Sequence, residues 1–274
     1  MSIKSSVGSI IKNILPGYYW ARKMSYYKQH FSEVEMKLLP YLCKKDKTSL
    51  DIGAAGGVFI ANMLGVSKNV IAFEPIPADA AILKTMVEAT KSNVKIECVA
   101  LSDKSGEATL RMMANDLGRS TIEESNTLDD HTGSLKTGIK VPIKKLDDFI
   151  FNNIGFIKID VEGHELSVLR GSKETIRRNL PALLIEIEDR HKLNAVADVP
   201  LFLKEFGYLV YFILDGKLTP ISDFNKTTHQ NSSNIGTYTD GYVRKGVYIN
   251  NFIFIPPAEV SKFLSDAAVI FPKK

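Results

Sequence analysis

Two short acidic clusters are the chemically loaded stretches of this chain. Asp160, Glu162, His164 and Glu165 fall within six residues, at the end of the apolar run Phe156-Ile157-Lys158-Ile159. Glu186, Glu188, Asp189 and His191 follow a second apolar run, Ala182 to Ile187. A carboxylate or imidazole held beside a weak nucleophile such as a hydroxyl can take its proton, a contribution of ~10²–10⁴-fold in rate. Asp160 and Glu162 share one strand parity and so could face a reacting centre together. His164 stands beside them, and Glu186 or His191 could reach the same centre from an adjoining strand end. Plainer readings exist for several of these groups. Glu165 suits the positive end of a helix, His164 reads equally as a loop residue, and 186–191 as surface charge opening a loop. Glu188-x-x-His191 has metal-compatible spacing on a helix, for Mg²⁺ among others, but no third ligand completes a set, so the preferred reading has no metal.

A third stretch, Thr48-Ser49-Leu50-Asp51-Ile52-Gly53-Ala54-Ala55-Gly56-Gly57-Val58, reads as strand, tight turn and helix start. Such a turn lays backbone N–H groups against a nucleotide-like ligand, or serves only as a packing corner. The dinucleotide fingerprint needs glycine at the first, third and sixth turn positions, which here are Gly53, Ala55 and Val58. That spacing fails, and no Gly-Lys-Ser/Thr follows to make a P-loop. Asp51-x-Gly53 with Glu74, 21 residues after Gly53 at the next strand end, fits better. In a doubly wound sheet that position accepts hydrogen bonds from ribose hydroxyls, unless it is simply a solvated strand end. S-adenosylmethionine (SAM) carries ribose and adenine without phosphate, and its sulfonium and ammonium groups favour acidic surroundings. It suits Asp51 and Glu74 better than an anion does.

Positioning these groups requires strands that end where they stand. The pattern predicts strands at 48–52, 69–73, 94–101, 156–161 and 182–187, with helices at 58–64, 78–91, 165–170 and 172–179 between them. Alternation of this kind implies parallel pairing and right-handed crossovers, hence a doubly wound, mostly parallel α/β sheet. Ala81, Ile82, Thr85, Met86 and Ala89 are expected on one face of helix 78–91. Between Ser102 and Asp148 regularity lapses: 107–113 and 138–144 read as strands, and the polar 115–137 segment as a lid or a disordered loop. A helix at 199–206, a hairpin at 208–221 and a last strand at 248–255 complete the pattern. Residues 222–246, with His229, Asn231, Asn234, Tyr238, Tyr242 and Arg244, read as a rim suited to a polyhydroxylated acceptor.

Several runs together resemble the FkbM family of SAM-dependent methyltransferases: Asp51-Ile-Gly-Ala54, Ala72-Phe-Glu-Pro75, Ala100-Leu-Ser-Asp103, and above all Ile157-Lys-Ile-Asp-Val-Glu-Gly163 with Val168-Leu-Arg-Gly171. Leu184-Ile-Glu186 and Asn251-Phe252 are similar to it too, and the matched motifs span about residues 36–255. The resemblance implies a seven-stranded, Rossmann-like class I sheet whose last strand runs antiparallel, with SAM as cofactor. It implies O-methylation of a hydroxyl, often on a sugar, glycan or secondary metabolite. Carried onto this chain, the expected cofactor contacts are Asp51, Gly53, Ala54, Gly57, Glu74, Pro75, Ala100, Leu101 and Asp160. One departure is Ala55, where the family usually has Asn, so a side-chain contact there would be lost.

The whole chain is consistent with that reading. Its 274 residues, 45% hydrophobic and 24% charged, suit one large domain with additions. A division into a helical N-terminal segment, 1–47, and a methyltransferase domain, 48–274, is expected. The net charge of +4 does not indicate a nucleic-acid partner. Cys43 and Cys98 form no disulfide framework, which points to a reducing cytoplasm. No apolar run predicts a membrane span or signal peptide. Residues 3–20 read as a basic amphipathic helix broken at Pro16-Gly17, packed on the domain, self-associating, or resting on an anionic membrane face. Ser32 with Glu35 reads as a capping box. Two competing functions stay open: a catalytically silent binding module, and a nicotinamide-dependent oxidoreductase.

Overall fold

The computed structural model describes residues 12, 14–30, 33–113, 116–128, 136–236 and 244–271. Its centre is an eight-stranded sheet in the order β11-β10-β12-β9-β8-β1-β2-β3. The strands are β1 (Thr48–Ile52), β2 (Asn69–Phe73), β3 (Val94–Glu97), β8 (Ile154–Ile159), β9 (Ala182–Glu186), β10 (Leu209–Leu214), β11 (Lys217–Pro220) and β12 (Asn251–Ile255). Five of them, β3, β2, β1, β8 and β9, pair in parallel, and β12 enters antiparallel between β9 and β10. The seven expected strands are thus present, and the hairpin strand β11 adds an eighth at the edge. Every residue of β1, β8 and β12 is buried, because helices cover both faces.

On one face lie α1 (Pro16–Gln29), α2 (Leu39–Leu42), α3 (Val58–Met63), α4 (Pro77–Thr90) and, near the C-terminus, α9 (Val260–Ile270). The other carries α5 (Glu165–Arg170), α6 (Lys173–Asn179) and α7 (Ala195–Lys204). A one-turn helix, α8 (Lys226–His229), lies in the segment after β11. Lys12 and Ile14 are helical and Leu15 is not, so the helical path is interrupted just before Pro16, which opens α1, since proline at the first helical position gives up only an N–H that has no partner there. Trp20 and Met24 of α1 share one core with Leu39, Ile60 and Met86, so the N-terminal helix is packed on the sheet domain. Ile3, Lys4, Ile10 and Ile11 of the expected amphipathic helix lie outside the described residues, as does Ser32. Glu33 precedes a 3₁₀ turn at Val34–Leu38 and makes no side-chain cap there.

Three further differences bear on the site. The core face of α4 is Ala80, Leu83 and Met86, while Ala81, Ile82 and Thr85 are exposed. Helix α7 begins four residues earlier than expected and contains Pro200. The expected strand 94–101 splits, because Ala100 and Leu101 leave the large sheet as β4 (Ala100–Leu101). They join a second sheet, β4-β7-β5-β6, with β5 (Gly106–Met113), β6 (Asp116–Thr121) and β7 (Lys136–Lys144). Ala100 packs there with Ile76, Leu110, Val141 and Ile143. Part of the expected 115–137 loop is therefore strand, and 129–135 lie outside the described residues. Among the described residues, no helix is long and apolar enough to cross a membrane.

Candidate active site

A cleft of about 990 Å³, mouth included, opens where β1, β2 and β8 end, roofed by residues from β5 and β6 of the small sheet. Its floor is the turn after β1. Gly53 has φ +85°, and a Cβ there would stand 1.8 Å from the Asp160 carbonyl oxygen, so only glycine lets the ends of β1 and β8 converge. Ala55 takes a left-handed conformation and donates its N–H to Glu74 Oε2 at 2.8 Å. Glu74 Oε1 accepts from the Ile76 N–H, also at 2.8 Å. The Glu74 carboxylate thereby ties the two strand-end turns together. Burial pushes it up to about 7 against the pull of those two donors. Each oxygen keeps a lone pair for a ligand hydroxyl.

The described residues lining the cleft include Glu74, Asp79, Asp160 and Glu162 and no Lys or Arg. A phosphate-bearing dinucleotide would meet no cationic side chain among these described lining residues. A phosphate-free nucleoside with a positive sulfonium finds a hydroxyl acceptor in Glu74, carboxylates in Asp160 and Glu162, and the apolar side chains of Ile76, Leu101 and Leu110 on the same cleft wall. The residues present fit SAM.

At the far end, β8 stops at Ile159, and Asp160 turns into the cleft with a third of its side chain exposed. Its backbone N–H donates to the Ile52 carbonyl. Glu162 lies beyond the strand with φ +54°, so strand parity does not govern it. Its carbonyl accepts from Thr121 Oγ1 and Asn126 Nδ2, both at 2.8 Å, which straps residues 121–126 across the site. Its carboxylate stands 3.1 Å from His191 Nε2. Burial, then Asp160 and Glu188, push Glu162 well up. Burial pulls His191 down to about 4 despite the Glu188 charge. The imidazole is therefore neutral near pH 7, and Glu162 Oε2 has no hydrogen-bond partner. His164 lines the cleft with Nε2 2.9 Å from Ser102 Oγ and Nδ1 3.4 Å from Glu123.

The structure thus gathers Gly53, Glu74, Pro75, Ala100, Leu101, Asp160, Glu162 and His164 around one cleft, with His191 behind Glu162. Other expected contacts lie elsewhere. Asp51 is buried in β1, with Oδ2 lacking a hydrogen-bond partner. Ala54 is buried off the cleft wall, and Gly57 packs against Leu83 and Met86 of α4. Glu186 is turned to Asn250, which donates to it at 2.7 Å. Glu188 is not surface charge: it is 3% exposed, paired with Arg190 and hydrogen-bonded by the Tyr248 hydroxyl. Glu165 at the start of α5 accepts the Gly163 N–H. On the expected rim, His229 packs between the Phe212 and Phe224 rings. Asn231 and Asn234 bond nearby backbone groups, and Arg244 donates to the Tyr248 carbonyl. Tyr238 and Tyr242 lie outside the described residues. No group of three His, Cys, Asp or Glu among the described residues is arranged to hold a metal.

Sequence reasoning missed Ala55, Gly56, Ile76, Asp79 and Thr121 as lining residues. Ile76 and Asp79 follow Glu74 closely enough to be inferred. Thr121 had no signal beyond its place in the long polar segment.

No curated protein matches the chain. Among solved structures it is similar to a methyltransferase FkbM from Methylobacillus flagellatus KT, at 15% identity and a TM-score of 0.48, over 90% of this chain and 60% of that one. It is similar to an rRNA methylase from Streptococcus thermophilus, at 13% and 0.44, over 82% and 96%. It is similar also to an O-methyltransferase from Bacillus cereus in complex with SAH, at 13% and 0.42, over 91% and 96%. The chain spans 60% of the length of the first of these. Residues 51–210, more than half of the chain, match the methyltransferase FkbM domain, and the chain belongs to that family.

Proposed function

We propose that this chain is a SAM-dependent O-methyltransferase acting on a hydroxyl of a sugar, glycan, glycolipid or secondary metabolite. The observation that carries this reading is a cleft with Glu74 at one end, Asp160 at the other and no cationic side chain among its described lining residues. Glu74 and the turn Gly53 to Gly56 hold the ribose side, and Ile76, Ala100, Leu101 and Leu110 cover the adenine. Bound SAM supplies a methyl group on a positive sulfur and leaves as a neutral thioether.

Methyl transfer is an in-line displacement, so alignment of the acceptor oxygen supplies much of the rate. Asp160, partly exposed at the cleft wall, orients the acceptor hydroxyl and takes its proton as the C–O bond forms. Glu162 lies next to it, and its Oε2, buried without a hydrogen-bond partner, is placed to accept from a neighbouring hydroxyl. The strap from Thr121 to Asn126 fixes the Glu162 backbone and helps keep water out. Glu186 stands one strand further along and shapes the local charge.

The test is transfer of labelled methyl from SAM into glycan and lipid fractions of cells lacking the protein. The expected product is an alkali-stable methyl ether made by the parent and not by Asp160→Asn. Label that appears only as alkali-labile ester, or equally with Asp160→Asn, would contradict the O-methyl assignment or the role of Asp160. A protein that binds SAM yet labels nothing would be a silent binding module.

A further inference from the structure

Lys158 is a lysine in a strand where every residue is buried. Its side chain is 1% exposed, with Nζ 5.0 Å from the centre of the Phe59 ring and donating to the Ile159 carbonyl at 3.4 Å. A buried ammonium is retained only where counter-charge and hydrogen bonds hold it. Four carboxyl groups face it. Asp51 is its neighbour across the β1–β8 register, Glu33 comes from the segment before α2, Glu186 from the end of β9, and Asp160 from just past β8. Glu35 and Arg244 stand further out in the same cluster.

These four are not equivalent partners. Burial pushes Asp51 up to about 7 and Glu33 and Glu186 upward, and Lys158 offsets only part of each shift. Burial would pull Lys158 down, but Asp160, Glu33, Glu186 and Asp51 outweigh it and hold its pKa above the ordinary lysine value. Among the described residues, Asp160 is the carboxylate at ion-pair distance, 3.7 Å from Nζ. Asp160 is also the member of the four that lines the cleft. Any influence of the buried ammonium on the site therefore passes through Asp160.

We infer that Lys158 is a positioning residue of this site: its buried ammonium fixes the Asp160 carboxylate, as a charged group, against the end of the cleft that receives the sulfonium. The inference rests on the proposed SAM-dependent reading and adds the group that makes Asp160 serviceable. Asp160 sits among Glu33, Glu162, Glu186 and Asp51. Without that fixed cation, repulsion from these like charges would turn the Asp160 carboxylate away from the position that faces the sulfonium.

SAM carries a sulfonium charge that S-adenosylhomocysteine (SAH) lacks, so the ratio of their affinities reads the charge on a carboxylate beside it, with no acceptor needed. Calorimetry at pH 8.5 on the full chain, Lys158→Met, Lys158→Arg and Asp160→Asn makes the test. Lys158→Arg should keep the SAM-to-SAH ratio of the parent, and Asp160→Asn should lower it. Lys158→Met should lower the ratio at least fivefold while SAH affinity holds. A ratio for Lys158→Met equal to that of the parent overturns the proposal. A parent that binds no SAM, or Asp160→Asn indistinguishable from the parent, overturns the underlying reading as well. SAH affinity and a cooperative melt report whether Lys158→Met folds; if it does not, Lys158→Gln carries the same comparison.

Discussion

Glu74 shows how much one carboxylate can do in this site. It closes two strand-end turns through the Ala55 and Ile76 N–H groups and keeps acceptor capacity for a ribose. Hydrogen bonds to a charged group are worth about 1.5–3 kcal/mol, so Glu74→Gln should weaken SAM binding ~10–100-fold by calorimetry. Unchanged affinity would take Glu74 out of the cofactor site. Glu165 makes a different prediction. Burial raises it from 4.5 to about 7, so the folded chain holds a proton that the unfolded chain releases. The stability it contributes is full below about pH 4.5 and is lost as pH rises through 7. Denaturant midpoints should therefore fall between pH 5 and 7.5, and Glu165→Gln, which still accepts the Gly163 N–H, should recover roughly 2 kcal/mol at the upper end. A parallel pH slope in the variant would refute that assignment. At this scale Glu74 and Asp160 were legible because each acid ends an apolar run. Asp51 was misplaced, since an acid one residue before the strand's end looks the same in sequence whether it faces ligand or core. Lys158 passed without notice because its partners come from three other segments.

The turn after β1 places two glycines under different demands, although sequence makes them look alike. A Cβ at Gly57 would meet Leu83 and Met86 side chains at 2.9 and 3.1 Å, contacts that can shift. A Cβ at Gly53 would meet backbone at 1.8 Å, which cannot shift without parting β1 from β8. Gly57→Ala should cost about 1–3 kcal/mol in urea while SAM affinity of the folded protein stays within about threefold. Gly53→Ala should abolish SAM binding. If calorimetry and denaturation ranked the two variants the other way, Gly57 rather than Gly53 would belong to the cofactor floor. The small sheet was the least legible element. Its strands β4 and β6 are short, and β6 carries Asp, Gly, Arg, Ser and Thr, residues that elsewhere mark a loop. Pairing with β5 and the bonds from Thr121 and Asn126 to Glu162 override that local preference. Helix α4 was found in the right place with its apolar stripe misassigned. Ile82 pointed to one face, but contact with the β1 turn and with α1 selects Ala80, Leu83 and Met86.

Across the whole molecule, the parallel core and its crossover helices follow from the alternation of apolar runs. The packing of the N-terminal helix does not, because a basic amphipathic segment carries the same pattern whether it covers protein or lipid. Trp20 is the only tryptophan of the chain and is buried in the core that α1 shares with α3 and α4. Its fluorescence and far-UV circular dichroism should therefore report one coincident urea transition. An earlier fluorescence change would show that residues 1–47 melt apart from the sheet. The cleft between Glu74 and Asp160 is built for a phosphate-free nucleoside carrying a sulfonium. Side-by-side calorimetric titration of the full-length protein with SAM and with NAD tests it most directly. The account predicts saturable binding of SAM and no heat of binding from NAD; binding of NAD with no response to SAM would contradict it.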